Sequence, residues 1–240
     1  MTFRNAMTAL ALAGITGAAS AQPTITEVYI GGLDGPDGTA DWFELTNFGD
    51  TTLIYAAGDL LYEDESRDLG TLDPFPAFSL APGESFVFLL DDDTDGDVGN
   101  DDPADDVPPN GIPDAFEAFD AVWGSGINRG LVDGSGLGGG GDEANVYLAG
   151  AIEPLLSFAY TEEDADGSLF GLQTFDVLNG TYSTTGVNGA FTSNPFANTQ
   201  QIPGQTELSL QGSPGVAVPE PATAALLGLG GLAMLRRRSA

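Results

Sequence analysis

The stretch Asp41-Trp42-Phe43-Glu44-Leu45-Thr46-Asn47 constrains the fold more than any other part of the chain. Phe43 and Leu45 alternate with Trp42, Glu44 and Thr46, which is the two-residue period of a half-buried β-strand. Turn formers bracket it, Gly38-Thr39-Ala40 before and Asn47-Phe48-Gly49-Asp50 after. Similar runs recur along the chain. Residues 24–30, rich in β-branched and aromatic side chains, read as a first strand, and 51–55 as another. Residues 85–90 are apolar on both faces and suit the middle of a sheet or a short buried helix. Their length and the Pro82-Gly83 turn before them favour the strand. Residues 206–210 alternate and are expected as the last strand. Residues 115–123 place Phe116, Phe119, Val122 and Trp123 at helical spacing, which predicts one short helix on the edge of the sheet assembly. With 34 glycines and 15 prolines, the expected class is all-β, a β-sandwich of short strands.

The available chemistry is narrow. The 240 residues contain no cysteine and no histidine, so thiolate sites and the commonest general base and zinc ligand are excluded. Thirty-six acids face six basic residues, all arginine, for a net charge of −30. Four of those arginines lie at the ends of the chain, so the body between is more acidic still. It repels nucleic acid and anionic membrane surfaces and suits a medium rich in salt or divalent cations. Paired carboxylates can hydrolyse glycosides, but among so many acids no pair stands out, and a catalytic role is not expected. The glycine-rich run 134–141 has no lysine beside it and is not read as a phosphate cradle.

The acids concentrate after residue 90. In 91–102, Asp91, Asp93 and Asp95 fall at positions 1, 3 and 5 of a twelve-residue calcium loop, Gly96 at 6, Asp97 at 7 and Asp102 at 12. A second, looser match runs from Asp106 through Asn110, Gly111 and Asp114 to Glu117. Pro108 holds its third position and offers no side-chain ligand. The spacing matters because alternate side chains of a tight loop converge on one point. Two such carboxylates about 4 Å apart repel by roughly 4 kcal/mol at an effective dielectric near 20. Either a cation gathers the segment or it stays extended and solvated. Its Asn110-Gly111-Ile112-Pro113-Asp114 run resembles thrombospondin type 3 and dockerin-like calcium repeats.

Several pieces in order resemble the lamin tail domain family. They are Ile25-Thr26-Glu27-Val28, the 41–47 stretch, Leu80-Ala81-Pro82-Gly83-Glu84, then 119–124 and 136–142, then 145–148 and 158–160. Asp166-Gly167-Ser168-Leu169 and Ser213-Pro214-Gly215 complete them. The resemblance spans about 22–216 and implies an immunoglobulin-like sandwich that serves as an exported accessory or adhesive module. The long acidic insertion and the stretch 171–205 depart from the family's pattern.

Both ends read as transport signals. Residues 1–21 combine Arg4, an apolar run and Ala19-Ser20-Ala21, as a secretory signal does; the alternative is an N-terminal core helix. At the other end Pro219-Glu220-Pro221 precedes a mostly apolar run, 222–235, and then Arg236-Arg237-Arg238. As a helix that run covers roughly 21 Å, short of a hydrocarbon core of about 30 Å. The tripartite pattern in 217–240 resembles the PEP-CTERM sorting signal. It implies a partner enzyme of the exosortase type, transient anchoring in the inner membrane, and release to the cell surface or extracellular matrix. An anchor that is never cut is the alternative. The expected function is a displayed structural or adhesive protein, calcium-stabilised, with matrix polysaccharide as a possible partner. The competing function is a carbohydrate-binding or, less so, ice-binding module, and an exposed Trp42 or Trp123 would favour stacking on a glycan.

Overall fold

A computed structural model describes residues 22–30, 41–64, 67–91, 114–133, 136–137, 141–161, 172–197 and 207–216. The signal at 1–21, most of the acidic insertion, Asp166 to Leu169 of the family resemblance, and the segment from 217 onward lie outside the described residues.

The described chain is mostly β-strand with one short helix. In order the strands are β1 (Thr24–Tyr29), β2 (Asp41–Thr46), β3 (Leu53–Tyr55), β4 (Leu60–Glu63), β5 (Asp73–Pro74), β6 (Phe78–Leu80) and β7 (Ser85–Asp91). Helix α1 (Asp114–Trp123) follows, then β8 (Arg129–Asp133), β9 (Gly141–Leu148), β10 (Leu156–Thr161), β11 (Phe175–Asp176) and β12 (Thr181–Tyr182). The last are β13 (Phe191–Thr192), β14 (Phe196–Ala197), β15 (Glu207–Leu208) and β16 (Gln211–Gly212). A six-stranded sheet has the order β12-β11-β1-β2-β7-β8, and a four-stranded sheet the order β10-β9-β4-β5. Its β7–β8 pair is parallel, while β2 lies antiparallel between β1 and β7.

Side chains from both large sheets share one apolar core. Phe43 and Leu45 of β2, Val28 of β1 and Phe88 of β7 meet Leu60 and Tyr62 of β4 and Val146 of β9. The Phe43 ring stacks on Tyr62 at 5.8 Å between centroids and meets Phe75 edge-on at 6.0 Å. Phe88 is 4.6 Å from Phe75 and 4.9 Å from Phe78, in the edge-to-face geometry that aromatic rings favour.

The other face of β2 departs from the half-buried expectation. Trp42, Glu44 and Thr46 are all buried. A second apolar cluster covers this face: Tyr29, Trp42, Val87 and Leu89 of the sheet pack against Ala115, Phe119, Val122 and Trp123 of α1. The helix therefore lies across the face of the six-stranded sheet, not on an edge as the sequence predicts. The spacing of its four core residues gives it one apolar stripe, and Tyr29, Trp42 and Leu89 give it a surface to bury that stripe against. Its C-terminus closes on Gly124, in the left-handed region at φ 92°, and Asn194 donates through N and Nδ2 to the carbonyls of Val122 and Ala121.

Every residue of the 41–47 stretch has a defined use. Asp41 Oδ2 accepts from the Leu137 amide at 2.7 Å. Asn47 Nδ2 donates to the carbonyls of Thr51 and Leu80, and its Oδ1 accepts from Gly49 N, so one side chain ties two turns together. In the second of those turns Glu84 folds back to accept from Ala81 N at 2.7 Å. The expected strand at 85–90 sits inside the sheet, between β2 and β8. The expected final strand over 206–210 is two shorter pairings instead, β15 with β14 and β16 with β13. Between them Leu210 N donates to Ser193 Oγ, so the ladder breaks where the chain drops Leu210 into the second cluster.

Replacing Phe88 by alanine removes a ring that touches four others and should cost about 3–5 kcal/mol. Ile54→Ala, at a side chain 77% exposed, should cost under about 0.5 kcal/mol. Urea unfolding of the two variants checks the contrast.

Candidate functional site

The pairing of β1 with β2 carries an irregularity between Ile25 and Glu27, and beyond it Glu27 stands directly opposite Glu44. The extra residue is Thr26. A bulge of this kind re-aims side chains, and here the Thr26 hydroxyl reaches the Glu44 carboxylate, as does that of Thr46. On its other flank Glu27 is registered with Asp176 of β11. Two carboxylates thus face each other across a ladder, on the sheet face that also carries Trp42, and each is 1% exposed.

What covers them is the C-terminal part of the described chain, residues 172–197 and 207–216, here called the strap. Thr174 and Ser183 hydroxyls donate to Glu27 Oε1, as does the Ser213 amide at 2.7 Å. The Ser213 hydroxyl donates to Glu27 Oε2 at 3.1 Å. Glu44 Oε1 accepts from Thr26 at 2.6 Å and from Thr46 at 3.3 Å, and its Oε2 accepts from Gly215 N at 2.5 Å. All four carboxylate oxygens are therefore bonded to protein donors. Behind them Thr26 bonds Thr46, and Thr46 bonds Ser85 at 2.6 Å, extending the polar network into β7.

The strap is fitted closely. A Cβ on Gly212 would fall 2.7 Å from Thr174 Cγ2 and 2.8 Å from the Trp123 ring, so only glycine allows this approach. Gly215 has φ 79° and faces Ile127. Both glycines flank Ser213, whose amide and hydroxyl serve Glu27.

Charge chemistry sets the pair apart from the many surface acids. Burial drives the Glu27 carboxyl up to about 7, against the bonds from Thr174, Ser213 and Ser183. Burial first, and then the charge on Glu27, push Glu44 up to about 8, against the bonds from Thr26 and Gly215. The described residues contain two arginines, and each is engaged elsewhere. Arg67 donates to Glu143, while Arg129 donates to Asp120 and lies over the Phe116 ring. Neither cation is bonded to the pair, which meets neutral donors alone.

The residues predicted to hold calcium fall elsewhere. Asp93, Asp95, Asp97, Asp102, Asp106 and Asn110 lie outside the described residues. Asp91 ends β7, Asp114 opens α1, and Glu117 is exposed on that helix. Among the described residues no group of three or more acidic, histidine or cysteine side chains is placed to hold a metal ion. Trp42 and Trp123, the candidate stacking platforms for a glycan, are 1% and 6% exposed and belong to the second cluster. The sequence reading quoted Glu27 and Glu44 but did not pair them. A signal was present: each is an acid inside a strand with apolar or β-branched residues on both sides of it.

Beyond the strap the chain enters its last segment within two residues. Residues 217–239 match the PEP-CTERM protein-sorting motif. The match contains Pro219, Glu220, Pro221 and Arg236 to Arg238, as the tripartite pattern predicts. The PEP-CTERM motif implies export through an exosortase-type sorting system and processing by such an enzyme, with transient membrane anchoring before surface localisation. Neither a curated protein nor a solved structure matches the chain. Among the described residues no helix is long and apolar enough to cross a membrane, and 222–235 lies outside them.

The raised values make stability fall with pH. Below about 4.5 both folded and unfolded chains hold the two protons, and the pair's contribution is fully present. Above that the unfolded chain sheds its protons first, and stability is lost as pH climbs through about 7 and 8. Denaturant unfolding at pH 5 and pH 9 should differ by on the order of a few kcal/mol. In Glu44→Gln the difference should shrink, and at pH 9 that variant should unfold at higher denaturant than the parent.

Proposed function

We propose that the protein is a structural or adhesive module displayed on the cell surface or in the extracellular matrix. In this reading residues 1–21 direct export, and residues 22–216 form an immunoglobulin-like sandwich of the lamin-tail type. Residues 217–240 are the sorting and anchoring segment that an exosortase-type enzyme removes. The observation that carries the reading is the PEP-CTERM motif at 217–239, set directly behind a body that is mostly β-strand.

One property of the body supports display over catalysis, and two others narrow its partners. Its best-defined pair of acids lies under the strap with every carboxylate oxygen bonded to a protein donor. Its net charge disfavours nucleic acid and anionic surfaces as partners. Burial of Trp42 and Trp123 withdraws the aromatic platform that glycan stacking would use. Matrix polysaccharide then remains a partner through hydrogen bonds or bridging cations.

Calcium belongs to the same proposal. Asp91, Asp93, Asp95, Asp97 and Asp102 form the first loop, and Asp106, Asn110, Asp114 and Glu117 the second. The physical argument is that a divalent ion relieves repulsion among acids this dense. Helix α1 starts at Asp114, so Glu117 is carried on its first turn, at the end of the second loop.

Mass spectrometry of the exported protein should find a chain that lacks Arg236 to Arg238. Glu220→Ala should leave those arginines in place and hold the protein in the membrane fraction. An intact C-terminus on the released parent protein would refute processing. Calorimetry with calcium should give a saturable heat that vanishes when Asp91, Asp93 and Asp95 are together changed to asparagine.

A further inference from the structure

The donors that reach the carboxylate pair come from two sources. Thr26 and Thr46 belong to the sheet itself, with Ser85 behind Thr46, whereas Thr174, Ser183, Ser213 and Gly215 belong to the strap. Elsewhere the first part of the strap's closing end is held by the two-residue pairings of β15 and β16 and by Leu210 in the second cluster, whereas Ser213 and Gly215 beyond them bond through their amides to the carboxylate pair. In sequence Gly215 stands two residues before the start of the matched sorting motif.

Around Glu27 the close contacts outnumber the hydroxyl hydrogens. Thr174 Oγ1 is within bonding distance of Glu27 Oε1, of Ser183 Oγ at 2.7 Å and of Gln211 O at 3.3 Å. Ser183 Oγ in turn is 3.2 Å from Glu27 Oε1. Thr174 and Ser183 have one hydroxyl hydrogen each for these four contacts. A carboxyl proton on Glu27 supplies a third. Two unprotonated carboxylates opposite one another, buried and without a bonded cation, would also repel strongly.

We propose that Glu27 and Glu44 are a proton-dependent clasp: protonated, they hold Ser213 to Gly215 closed over the six-stranded sheet, and proton loss frees that end. Lifting the strap admits water to both carboxyls, which then ionise as ordinary glutamates do. Opening therefore releases protons, and alkaline pH drives it. The other groups facing the pair are few. Asp176 of β11 stands beside Glu27 in register and is held by Asn179 and Asn188. Val87 and Ser85 of β7 carry no charge. Arg129 of β8 and Asp120 of α1 are bonded to each other. The clasp is independent of the display function: it can hold whether or not the protein is adhesive or binds calcium.

Hydrogen exchange on the full-length chain in detergent micelles tests it, with rates corrected for intrinsic base catalysis. Protection of the Ser213 and Gly215 amides should fall roughly tenfold per pH unit for each proton released, between about pH 5 and 7, and level off above about 8. It should be lower than protection in the β2–β7 ladder and insensitive to low denaturant, as local opening requires. Glu27→Gln with Glu44→Gln should flatten the profile, and Asp176→Asn should not. Protection that does not change with pH would overturn the proposal, as would an unchanged slope in the double glutamine variant. So would strap amides exchanging only with the whole domain. Should the double variant fail to fold, carbon-13 NMR of the parent's glutamate carboxyls decides. Titration of both groups below pH 5 overturns the clasp, and a group titrating near neutrality supports it.

Discussion

Burial of both faces of β2 is the constraint on which the rest depends. A strand covered on one side can solvate its other side chains; this one cannot, and so each outward residue needs a dedicated partner. Trp42 is met by α1, with Phe119 and Trp123 edge-on at 6.2 and 6.1 Å. Glu44 and Thr46 are met by hydroxyls and by backbone amides of the strap. The same sheet face is thus divided into an apolar half under a helix and a polar half under irregular chain. Helix backbone has few free donors to offer a carboxylate, and a strap of turns and two-residue pairings has many. The choice of cover follows from what each half needs.

Much of this was legible in sequence because short-range rules carry it. Strands β1, β2 and β7 announce themselves through β-branched and aromatic runs bounded by turns, and α1 through its spacing of apolar residues, while β9 and β10 show in sequence only as pieces of the family resemblance. The error lay in the second dimension of the pattern. Trp42-x-Glu44-x-Thr46 reads as the wetter side of a strand because alternation reports only that two faces differ, not that one is open to water. What covers Trp42 is more than 70 residues away, and what covers Glu44 is more than 120 away, beyond any local period. The described parts of the strap, 172–197 and 207–216, were the least legible for a related reason. Their hydrogen bonds run to side chains and to other loops as much as to ladders, so they have no repeating pattern to detect. The carboxylate pair needed the register of β1 on β2, and that register includes a bulge that counting residues does not foresee.

The electrostatics of the body divide along the same line. Among the described residues Asp50, Asp59, Asp68, Glu117, Glu153 and Glu207 are exposed, and in a chain with few compensating cations such groups bear on solubility and partner choice. Glu27 and Glu44 are different in kind: their energy is governed by exclusion from water, and by each other, more than by the field of the surface. Salt therefore screens the first population and hardly touches the second. A protein working in a saline exterior can carry both, because the medium calms the surface while the interior pair keeps its own response.

The placement of the aromatic residues has an optical consequence. The chain has two tryptophans, and both sit in the cluster beneath α1 and the strap, with Phe191 of the strap edge-on to Trp123 at 5.6 Å. The aromatic residues of the core shared by the two large sheets are tyrosine and phenylalanine alone. Ultraviolet emission excited at the indole band therefore originates wholly from one side of the six-stranded sheet. The molecule carries a native chromophore for the region under its C-terminal cover and is dark, at that wavelength, between its sheets.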